Sequence, residues 1–252
     1  MLEGTFAIAG ILATILLAVG AVAGRALTPY AGAVAAVFGI VIVLFVGFPY
    51  LALLVLFVAA SALATRFRFA EKKQRKVQEG RSGERGVSNV VAHILLPTGI
   101  AVAGGVSPSV LSASSTALLF SSALAFGASD TFASEFGVLA GHAKSILSGE
   151  PVPPGTNGGV SGRGQAFAVA GAATTAVVGW LLFWAFRSPA PGAVVFLPTV
   201  TLAGVAACQV DSILGELFEN DGRLSKGSTN FLGMLSAVAI AGGVLVAIAG
   251  VA

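Results

Sequence analysis

Residues 115–137 read STALLFSSALAFGASDTFASEFG, a long apolar stretch whose last third contains two acidic residues, Asp130 and Glu135. Residues 192–216, GAVVFLPTVTLAGVAACQVDSILGE, show the same arrangement with Asp211 and Glu216. In both stretches Ser or Thr follows the Asp, and the Glu lies five residues after the Asp. Carboxylates are costly at membrane depth, so the default interpretation of such residues is a functional site. The duplication strengthens that interpretation.

The composition of the whole chain is that of a polytopic membrane protein. The chain has 252 residues, a mean hydropathy of +0.93 and 10% charged residues, whereas a soluble domain carries about 25% charged residues. We therefore predict a single integral membrane domain over residues 1–252, with the lipid bilayer as a partner and with no nucleic-acid partner.

Apolar stretches long enough to cross a bilayer recur along the chain. A transmembrane helix needs about 20 mostly apolar residues. The sequence predicts an all-α bundle of about eight transmembrane helices, at residues 4–24, 28–46, 49–65, 88–105, 115–137, 165–186, 192–210 and 230–251.

The distribution of Lys and Arg predicts how these helices are oriented. If the loop 66–87 is cytoplasmic, alternation of the spans places thirteen of the 14 basic residues on the inside, leaving Arg187 outside. We expect the protein in the plasma membrane with both termini outside, and the polar loops 66–87, 138–164 and 211–229 together on the cytoplasmic face. Two helix pairs with the same orientation and the same acidic motif suggest a parallel internal repeat.

The four carboxylates are candidate metal ligands. Hard oxygen donors suit Mg²⁺, which often takes one or two carboxylates together with substrate phosphates. Residues five apart on a regular helix differ by about 140° around its axis, so the Asp and Glu of one motif face different ways. Asp130 and Asp211 are the favoured ligands, with Glu135 and Glu216 either completing the metal site or holding a neighbouring loop. Ordinary solvation at helix ends is the alternative.

A Pro/Gly-rich loop precedes the sixth span. Residues 150–164 read EPVPPGTNGGVSGRG; the prolines stiffen the loop, and the glycines allow positive φ and close backbone approach. Successive backbone N–H groups in such a loop can form an anion-binding nest. Arg163 offers a guanidinium for phosphate. We predict phosphate contacts from Arg163 and from the residues of the turn, Gly155, Thr156, Asn157, Gly158 and Gly159. A plain inter-helix turn is the alternative.

Basic and polar residues in the other two loops are further phosphate candidates. Lys226 precedes the last span, where it is unfavourable for the helix dipole unless an anion binds between them. Ser228 or Thr229 is expected to cap that helix. Arg81, Arg85 and Asn89 are spaced by four residues, so they share one face if the segment is helical. Together with Asn230, these residues describe a polar mouth suited to positioning phosphates and metal ions.

Three segments resemble the transmembrane-protein-nineteen family. They are ASDTFASEFG at 128–137, PVPPGTNGGVS at 151–161 and DSILG at 211–215; Asn230 and the segment with Arg81, Arg85 and Asn89 fit the family as well. The family includes the plant phytyl-phosphate kinase, which converts a prenyl monophosphate to the diphosphate with a nucleoside triphosphate. It is also distantly similar to CTP-dependent polyprenol kinases and phosphatidate cytidylyltransferases.

The resemblance implies an isoprenoid-phosphate kinase. Its substrates would be a nucleoside triphosphate, CTP being favoured, and a phytyl- or geranylgeranyl-type monophosphate, with Mg²⁺ as cofactor. Asp130, Asp211 and Lys226 are the expected catalytic residues, and the turn 155–159 is the expected phosphate site. A cytidylyltransferase forming a CDP-lipid would use the same parts, and a transporter of lipid phosphates is a third hypothesis. Small residues on many spans also permit a homo-oligomer.

Overall fold

The computed structural model describes residues 2–78 and 83–250 and consists mainly of long helices. The helices, in chain order, are α1 (Leu2–Ala23), α2 (Pro29–Val46), α3 (Phe48–Arg66), α4 (Phe69–Gln74), α5 (Val87–Val106), α6 (Ala113–Gly137), α7 (Gly162–Ala185), α8 (Ala193–Leu214) and α9 (Lys226–Ala249). The strands are β1 (Ala143–Ser145), β2 (Pro151–Val152) and β3 (Gly159–Val160). The predicted helix bundle is therefore confirmed at the level of its class.

Helix α6 forms the centre of the bundle. The Ser112 side chain caps its N-terminus by accepting a hydrogen bond from the backbone N–H of Ser115. Most of the helix is buried, and α3, α5, α7, α8 and α9 all pack against it. Glycines let three of these neighbours approach closely: a Cβ built on Gly171, Gly204 or Gly233 would lie within 3.0 Å of α6 atoms. Small residues at helix contacts are typical of membrane bundles.

Six of the described helices, α2, α3, α5, α7, α8 and α9, are long and apolar enough to cross a membrane. Helix α1 has a shorter apolar part, residues 7–23. Helix α6 contains many Ser and Thr residues as well as Asp130 and Glu135, which make it less apolar. The predicted count of eight spans is therefore not reached on length and composition. Helix α1 falls short in length, and α6 falls short in composition because it is surrounded by protein and does not need a lipid-facing surface.

The loop 138–164 contains a small antiparallel sheet, which the all-α prediction missed. Strand β1 lies in the middle of the order β2–β1–β3. Ala143 pairs with Val152, and Ser145 pairs with Gly159. Strands of two or three residues carry too short a pattern to be recognised in a sequence, and Pro151 occupies an edge strand, where a missing N–H is tolerated.

The polar connections meet at one end of the bundle. The α1–α2 turn reaches the segment before α5, where Thr28 N donates to the carbonyl oxygen of Arg85 at 3.1 Å. The side chain of Arg66, at the end of α3, donates to the carbonyl oxygen of Gly24. The ends of α6 and α8 and the starts of α7 and α9 lie at this same end. The predicted clustering of the three polar loops on one face agrees with this arrangement.

Candidate functional site: a carboxylate-containing cavity at the polar end

A cavity of about 380 Å³ lies at the polar end of the bundle. Its deep walls are the ends of α6 and α8 and the starts of α7 and α9, and its outer walls are the loop 154–161 and the segment 76–78. The cavity brings together ten of the predicted site residues: Asp130, Glu135, Asp211, Lys226, Asn230 and the five residues Gly155, Thr156, Asn157, Gly158 and Gly159.

Asp130 of α6 and Asp211 of α8 are the carboxylates at the deep end. Among the described residues, Oδ1 of Asp211 is buried and has no hydrogen-bond partner. Asp130 and Glu219 repel the Asp211 carboxylate electrostatically, and Lys226 attracts it. A buried carboxylate oxygen that lacks a hydrogen bond is a high-energy group. It would be stabilised by a cation or a donor that enters the cavity.

Lys226 is the first residue of α9, and Ser225 caps the helix. Ser225 Oγ accepts from the backbone N–H of Ser228 at 3.2 Å. The predicted cap at Ser228 or Thr229 is therefore wrong by three or four residues, because the helix begins earlier than the apolar pattern. Ser228 pairs with Ser225 Oγ and does not line the cavity. Lys226 does line it, as the prediction of an anion near this helix start requires.

Glu219 also lines the cavity, and the sequence prediction omitted it. Residues Gly215–Glu219 form a π-helical turn at the end of α8. Glu219 Oε2 accepts a hydrogen bond from Thr229 Oγ1 at 3.0 Å, which connects this turn to α9. A π-helical turn adds a residue to the helical repeat and changes the direction of the following side chains. The regular periodicity assumed for the sequence could not reveal this residue.

Glu135 lines the cavity, but its carboxylate forms an ion pair with a lysine. Lys72 of α4 is fully buried, and its Nζ lies 2.6 Å from Oε2 of Glu135. The same Nζ donates to the carbonyl oxygens of Ala64 and Thr65 at 2.9 and 3.2 Å. Glu135 therefore anchors α4 to α6, and this ion pair takes the place of the metal-ligand role that the sequence predicted for it. The sequence signal was weak, because Lys72 lies among several exposed basic residues.

Glu216 holds the small sheet. Its Oε1 accepts from Ser145 Oγ at 2.5 Å, and its Oε2 accepts from the backbone N–H of Leu147 at 3.4 Å. Gly158 lies directly against it: a Cβ there would come within 2.4 Å of the Glu216 Cβ. Of the two roles expected for Glu216, holding a neighbouring loop is the one found here. Glu216 does not line the cavity.

The predicted four-carboxylate metal site therefore does not assemble. In residues 2–78 and 83–250, no group of three or more His, Cys, Asp or Glu side chains is arranged to hold a metal ion. The two Asp residues that share the cavity still fit Mg²⁺, because this ion commonly uses one or two carboxylates and completes its shell with water and substrate phosphate. The buried, unpartnered Oδ1 of Asp211 is consistent with that fit.

The Gly-rich turn forms one rim of the cavity. Gly155 and Gly158 have φ angles of +88° and +79°, a conformation that glycine adopts without strain. Thr156 Oγ1 donates to the carbonyl oxygen of Pro153 at 2.8 Å, and Asn220 Nδ2 donates to that of Asn157 at 3.3 Å. The turn is thus held by its own residues and by the segment after α8.

Other predicted phosphate contacts lie away from the cavity. The guanidinium of Arg163, at the start of α7, lies 5.9 Å from the ring centroid of Phe167. This is a cation–π contact. Arg85 donates to Asn89 Oδ1 at 3.0 Å and to Thr131 Oγ1 at 3.4 Å. Arg85 thereby connects Asn89 of α5 to Thr131 of α6, and neither Arg85 nor Asn89 lines the cavity. Arg81 lies outside the described residues.

An amide pair adds to the α7 wall. Gln165 and Gln209 donate to each other, both at 3.0 Å, which links α7 to α8. Gln165 lines the cavity. Both residues lie within apolar stretches, so an isolated amide there was a usable sequence signal that the prediction did not use.

The fold and the site define a class: an integral membrane helix bundle with a polar, carboxylate-containing cavity at one end. The chain belongs to the family described as integral membrane protein DUF92, whose model matches residues 12–247.

Relatives from three groups of organisms support this membership. The chain is 32% identical over 243 residues to an uncharacterised membrane protein of Synechocystis, covering 91% of this chain and 89% of that one. It is 29% identical over 197 residues to an uncharacterised membrane protein of Methanocaldococcus jannaschii, covering 78% and 76%. It is 31% identical over 192 residues to Protein PGR of Arabidopsis thaliana, covering 70% and 66%. No solved structure matches the chain.

Proposed function

We propose that the protein is a phosphotransferase that uses CTP or another nucleoside triphosphate to convert an isoprenoid monophosphate to the diphosphate. The observation that carries the proposal is the joint occurrence of Asp130, Asp211, Lys226 and a Gly-rich turn in one cavity. Phosphoryl transfer depends on positioning and on neutralising the charge of the phosphates. The resemblance to the phytyl-phosphate kinase family supports the choice of substrates.

Each part of the cavity has a task in this proposal. The backbone N–H groups of Thr156 and Gly159 donate to carbonyl oxygens within the loop. The other N–H groups of the turn 155–159 and the ammonium of Lys226 bind and orient the phosphates, and Asn230 supplies a further polar contact. Asp130 and Asp211 would hold Mg²⁺, which neutralises phosphate charge when bound. Glu135 and Glu216 act indirectly, because they hold α4 and the small sheet in place.

The reaction is an in-line displacement at the γ-phosphorus. An oxygen of the prenyl monophosphate forms the new P–O bond. The bond between the γ-phosphorus and the β,γ-bridging oxygen breaks, and the nucleoside diphosphate leaves with the electron pair. A monophosphate dianion needs no strong general base, so correct orientation supplies most of the rate enhancement.

The lipid substrate sets the membrane arrangement. In this proposal eight helices, α1–α3 and α5–α9, cross the bilayer, with the α6–α7 and α8–α9 pairs as a parallel repeat. The cavity faces the cytoplasm, both termini face outward and the membrane is the plasma membrane. The positive-inside distribution of Lys and Arg supports this orientation. The prenyl chain stays in the bilayer while its phosphate reaches the cavity.

Two other reactions would use parts of the same arrangement. A cytidylyltransferase would attack the α-phosphorus and release pyrophosphate. A transporter of lipid phosphates usually has its site near the membrane midplane, whereas this cavity lies at one end of the bundle, which favours the kinase.

The test uses purified protein in detergent with Mg²⁺, CTP and geranylgeranyl monophosphate. We expect CDP and the prenyl diphosphate from the wild type, and a loss of about 100-fold or more in Asp130→Asn and Asp211→Asn. The matched control is Asp221→Asn, which changes an exposed carboxylate beside Arg223. Pyrophosphate with a CDP-lipid would establish cytidylyl transfer. Absence of turnover with CTP, ATP, GTP and UTP across several prenyl chain lengths would overturn the enzyme assignment.

A further inference from the structure

The two ends of the cavity differ in chemistry: the inner end has the carboxylates of Asp130 and Asp211, and the outer end has Lys76, Val77 and Val138. Along α6 its lining includes Asp130 at the inner end and Val138 just past the helix. At 1.5 Å per residue these positions are about 12 Å apart along the helix axis. Asp211 and Asn230 accompany Asp130 at the inner end, as residues of the helices packed against α6.

The outer end is formed by residues of loops. A Cβ built on Gly155 would lie 3.2 Å from Cγ1 of Val77 and 4.0 Å from Cγ1 of Val138. Val77 and Val138 therefore both lie next to Gly155 of the Pro/Gly turn. We name the three residues Val77, Gln78 and Val138, which line this part of the cavity, the outer rim. The two branched apolar side chains of Val77 and Val138 offer apolar contacts, which suit the face of an aromatic ring.

One polar atom in the outer rim is unsatisfied. Gln78 lines the cavity, and its Oε1 is buried without a hydrogen-bond partner in the described parts of the chain. A buried acceptor costs free energy until a donor reaches it. The amide oxygen is an acceptor only, so the complementary ligand group is an N–H or O–H donor.

We propose that the outer rim binds the nucleobase and that Gln78 selects a base with an amino group at C4 of a pyrimidine or C6 of a purine. Cytosine and adenine have this group, whereas uracil and guanine have a carbonyl at that position. The inference rests on the proposed function, since it needs a nucleoside triphosphate with its γ-phosphate near Asp130 and Asp211. The ribose and base of that nucleotide extend toward the outer rim. Gln78 Oε1 accepts a hydrogen bond from the amino group, and Val77 and Val138 contact the ring.

The chemistry of the selection follows from donors and acceptors. Cytosine presents an amino donor at C4 where uracil presents a carbonyl, and adenine presents one at C6 where guanine presents a carbonyl. A carbonyl facing Gln78 Oε1 would leave two acceptors in contact and neither satisfied. A site built to hydrogen-bond one group discriminates strongly against an analogue that lacks it.

The test measures equilibrium binding of CTP, UTP, ATP and GTP to the full-length protein in detergent with Mg²⁺, and the kcat/KM for transfer to geranylgeranyl monophosphate. We expect the wild type to bind CTP more tightly than UTP, or ATP more tightly than GTP, by about tenfold or more. Gln78→Leu should reduce this preference to below about threefold, because the nucleotide with the amino group loses its hydrogen bond and binds more weakly. The matched control, Gln74→Leu, changes an exposed glutamine on α4 and should keep the preference.

The outcomes separate this inference from the proposed function. If the wild type binds and turns over nucleotide but Gln78→Leu keeps the wild-type preference, the assignment of Gln78 is wrong and the kinase proposal stands. A wild-type preference for UTP or GTP also overturns the assignment. If the wild type binds none of the four nucleotides, both proposals are overturned. Val77→Asp, which puts a charge on the ring-binding surface, is a second variant and should weaken binding of all four nucleotides while retaining the folded elution volume.

Discussion

Nζ of Lys72 lies 2.6 Å from Oε2 of Glu135, and both side chains are buried where α4 meets α6. The lysine also donates to two carbonyl oxygens at the end of α3. The Lys72 side chain thus joins the short helix α4, the end of α3 and the central helix α6, which carries Asp130. The position of the outer wall of the cavity depends on this contact, because residues 76–78 follow α4 directly.

Removing one member of this pair is expected to be costly. Lys72→Met should lower the free energy of unfolding by about 3–5 kcal/mol, because Glu135 is left buried and uncompensated. The measurement is reversible unfolding in detergent, with the exposed neighbour Lys73→Met as the matched control, for which we expect a change of about 0.5 kcal/mol or less. The double variant Lys72→Met/Glu135→Leu should recover much of the loss, since an apolar pair of similar volume can replace a buried ion pair. Equal free energies of unfolding for Lys72→Met and Lys73→Met would show that the ion pair does not stabilise the fold.

Glu216 should restrain the small sheet without supporting the whole bundle. Glu216→Ala removes the acceptor for Ser145 Oγ and for the Leu147 backbone N–H. We expect faster hydrogen exchange across residues 143–160, with exchange in α6 and α8 unchanged, because local opening needs only the contacts of the opened unit to be lost. Glu150→Ala serves as the control, since Glu150 is an exposed residue of the same loop. Unaltered exchange at 143–160 would contradict the tethering role.

Replacing two glycines of this loop by alanine should lower the stability of the protein by different amounts, although both glycines have positive φ. Gly149 and Gly158 have φ angles of +73° and +79°. Gly149 has open space around it, so Gly149→Ala should cost about 1–2 kcal/mol, the conformational cost of a left-handed residue. Gly158→Ala places a Cβ 2.4 Å from that of Glu216 and should cost clearly more and displace the turn. Unfolding free energies and nucleotide affinity of the two variants provide the measurement, and similar values for both would refute the close packing at Gly158.

Alanine substitutions at two glycines of the long helices should change the stability of the protein in opposite directions. Gly204 of α8 faces α6, where an added Cβ would lie 2.9 Å from the Ala125 Cβ, so Gly204→Ala forces the helices apart and destabilises the protein. Gly242 of α9 has no atom within 4 Å of an added Cβ. Gly242→Ala should stabilise by about 0.5–1 kcal/mol, because alanine restricts the unfolded chain more than glycine. Thermal unfolding of the two variants in one detergent decides the matter; a stabilising Gly204→Ala would mean that α6 and α8 are not in close contact.

The orientation can be read by labelling in intact cells. In a Cys208→Ala background, we expect Pro189→Cys, in the α7–α8 connection, to react with a membrane-impermeant maleimide. Lys73→Cys, on α4, should react only after the cells are opened. The basis is the excess of Lys and Arg at the α4 end of the bundle. The reverse pattern would invert the protein and put the cavity outside.

The gathering of polar groups at one end of the bundle could be predicted, because it depends on short sequence patterns. The sequence alone shows the apolar stretches, the positions of Asp130 and Asp211 near the ends of two of them, and the Pro/Gly pattern of 150–164. The helical repeat also indicates that an Asp and a Glu five residues apart face different ways. The separation of Asp130 from Glu135, and of Asp211 from Glu216, follows from that geometry.

The partners of these side chains were not predictable, because they come from distant parts of the chain. Lys72 and Glu135 are separated by 63 residues, and Ser145 and Glu216 by 71. Nothing in the basic loop distinguishes Lys72 from Lys73, of which one is buried and the other exposed. The π-helical turn at Gly215–Glu219 likewise brings Glu219 to the cavity through a backbone change that composition does not reveal.

The amino-acid sequence by itself determined that the chain is a membrane helix bundle with carboxylates gathered at one polar end, since hydropathy and charge act residue by residue. Only the tertiary structure decided that Asp130 and Asp211 share a cavity with Lys226 and the Gly-rich turn, while Glu135, Glu216, Arg163 and Arg85 have other partners. The physical reason is that a buried polar group takes whichever partner the packing brings within hydrogen-bond distance. Sequence distance does not encode that proximity.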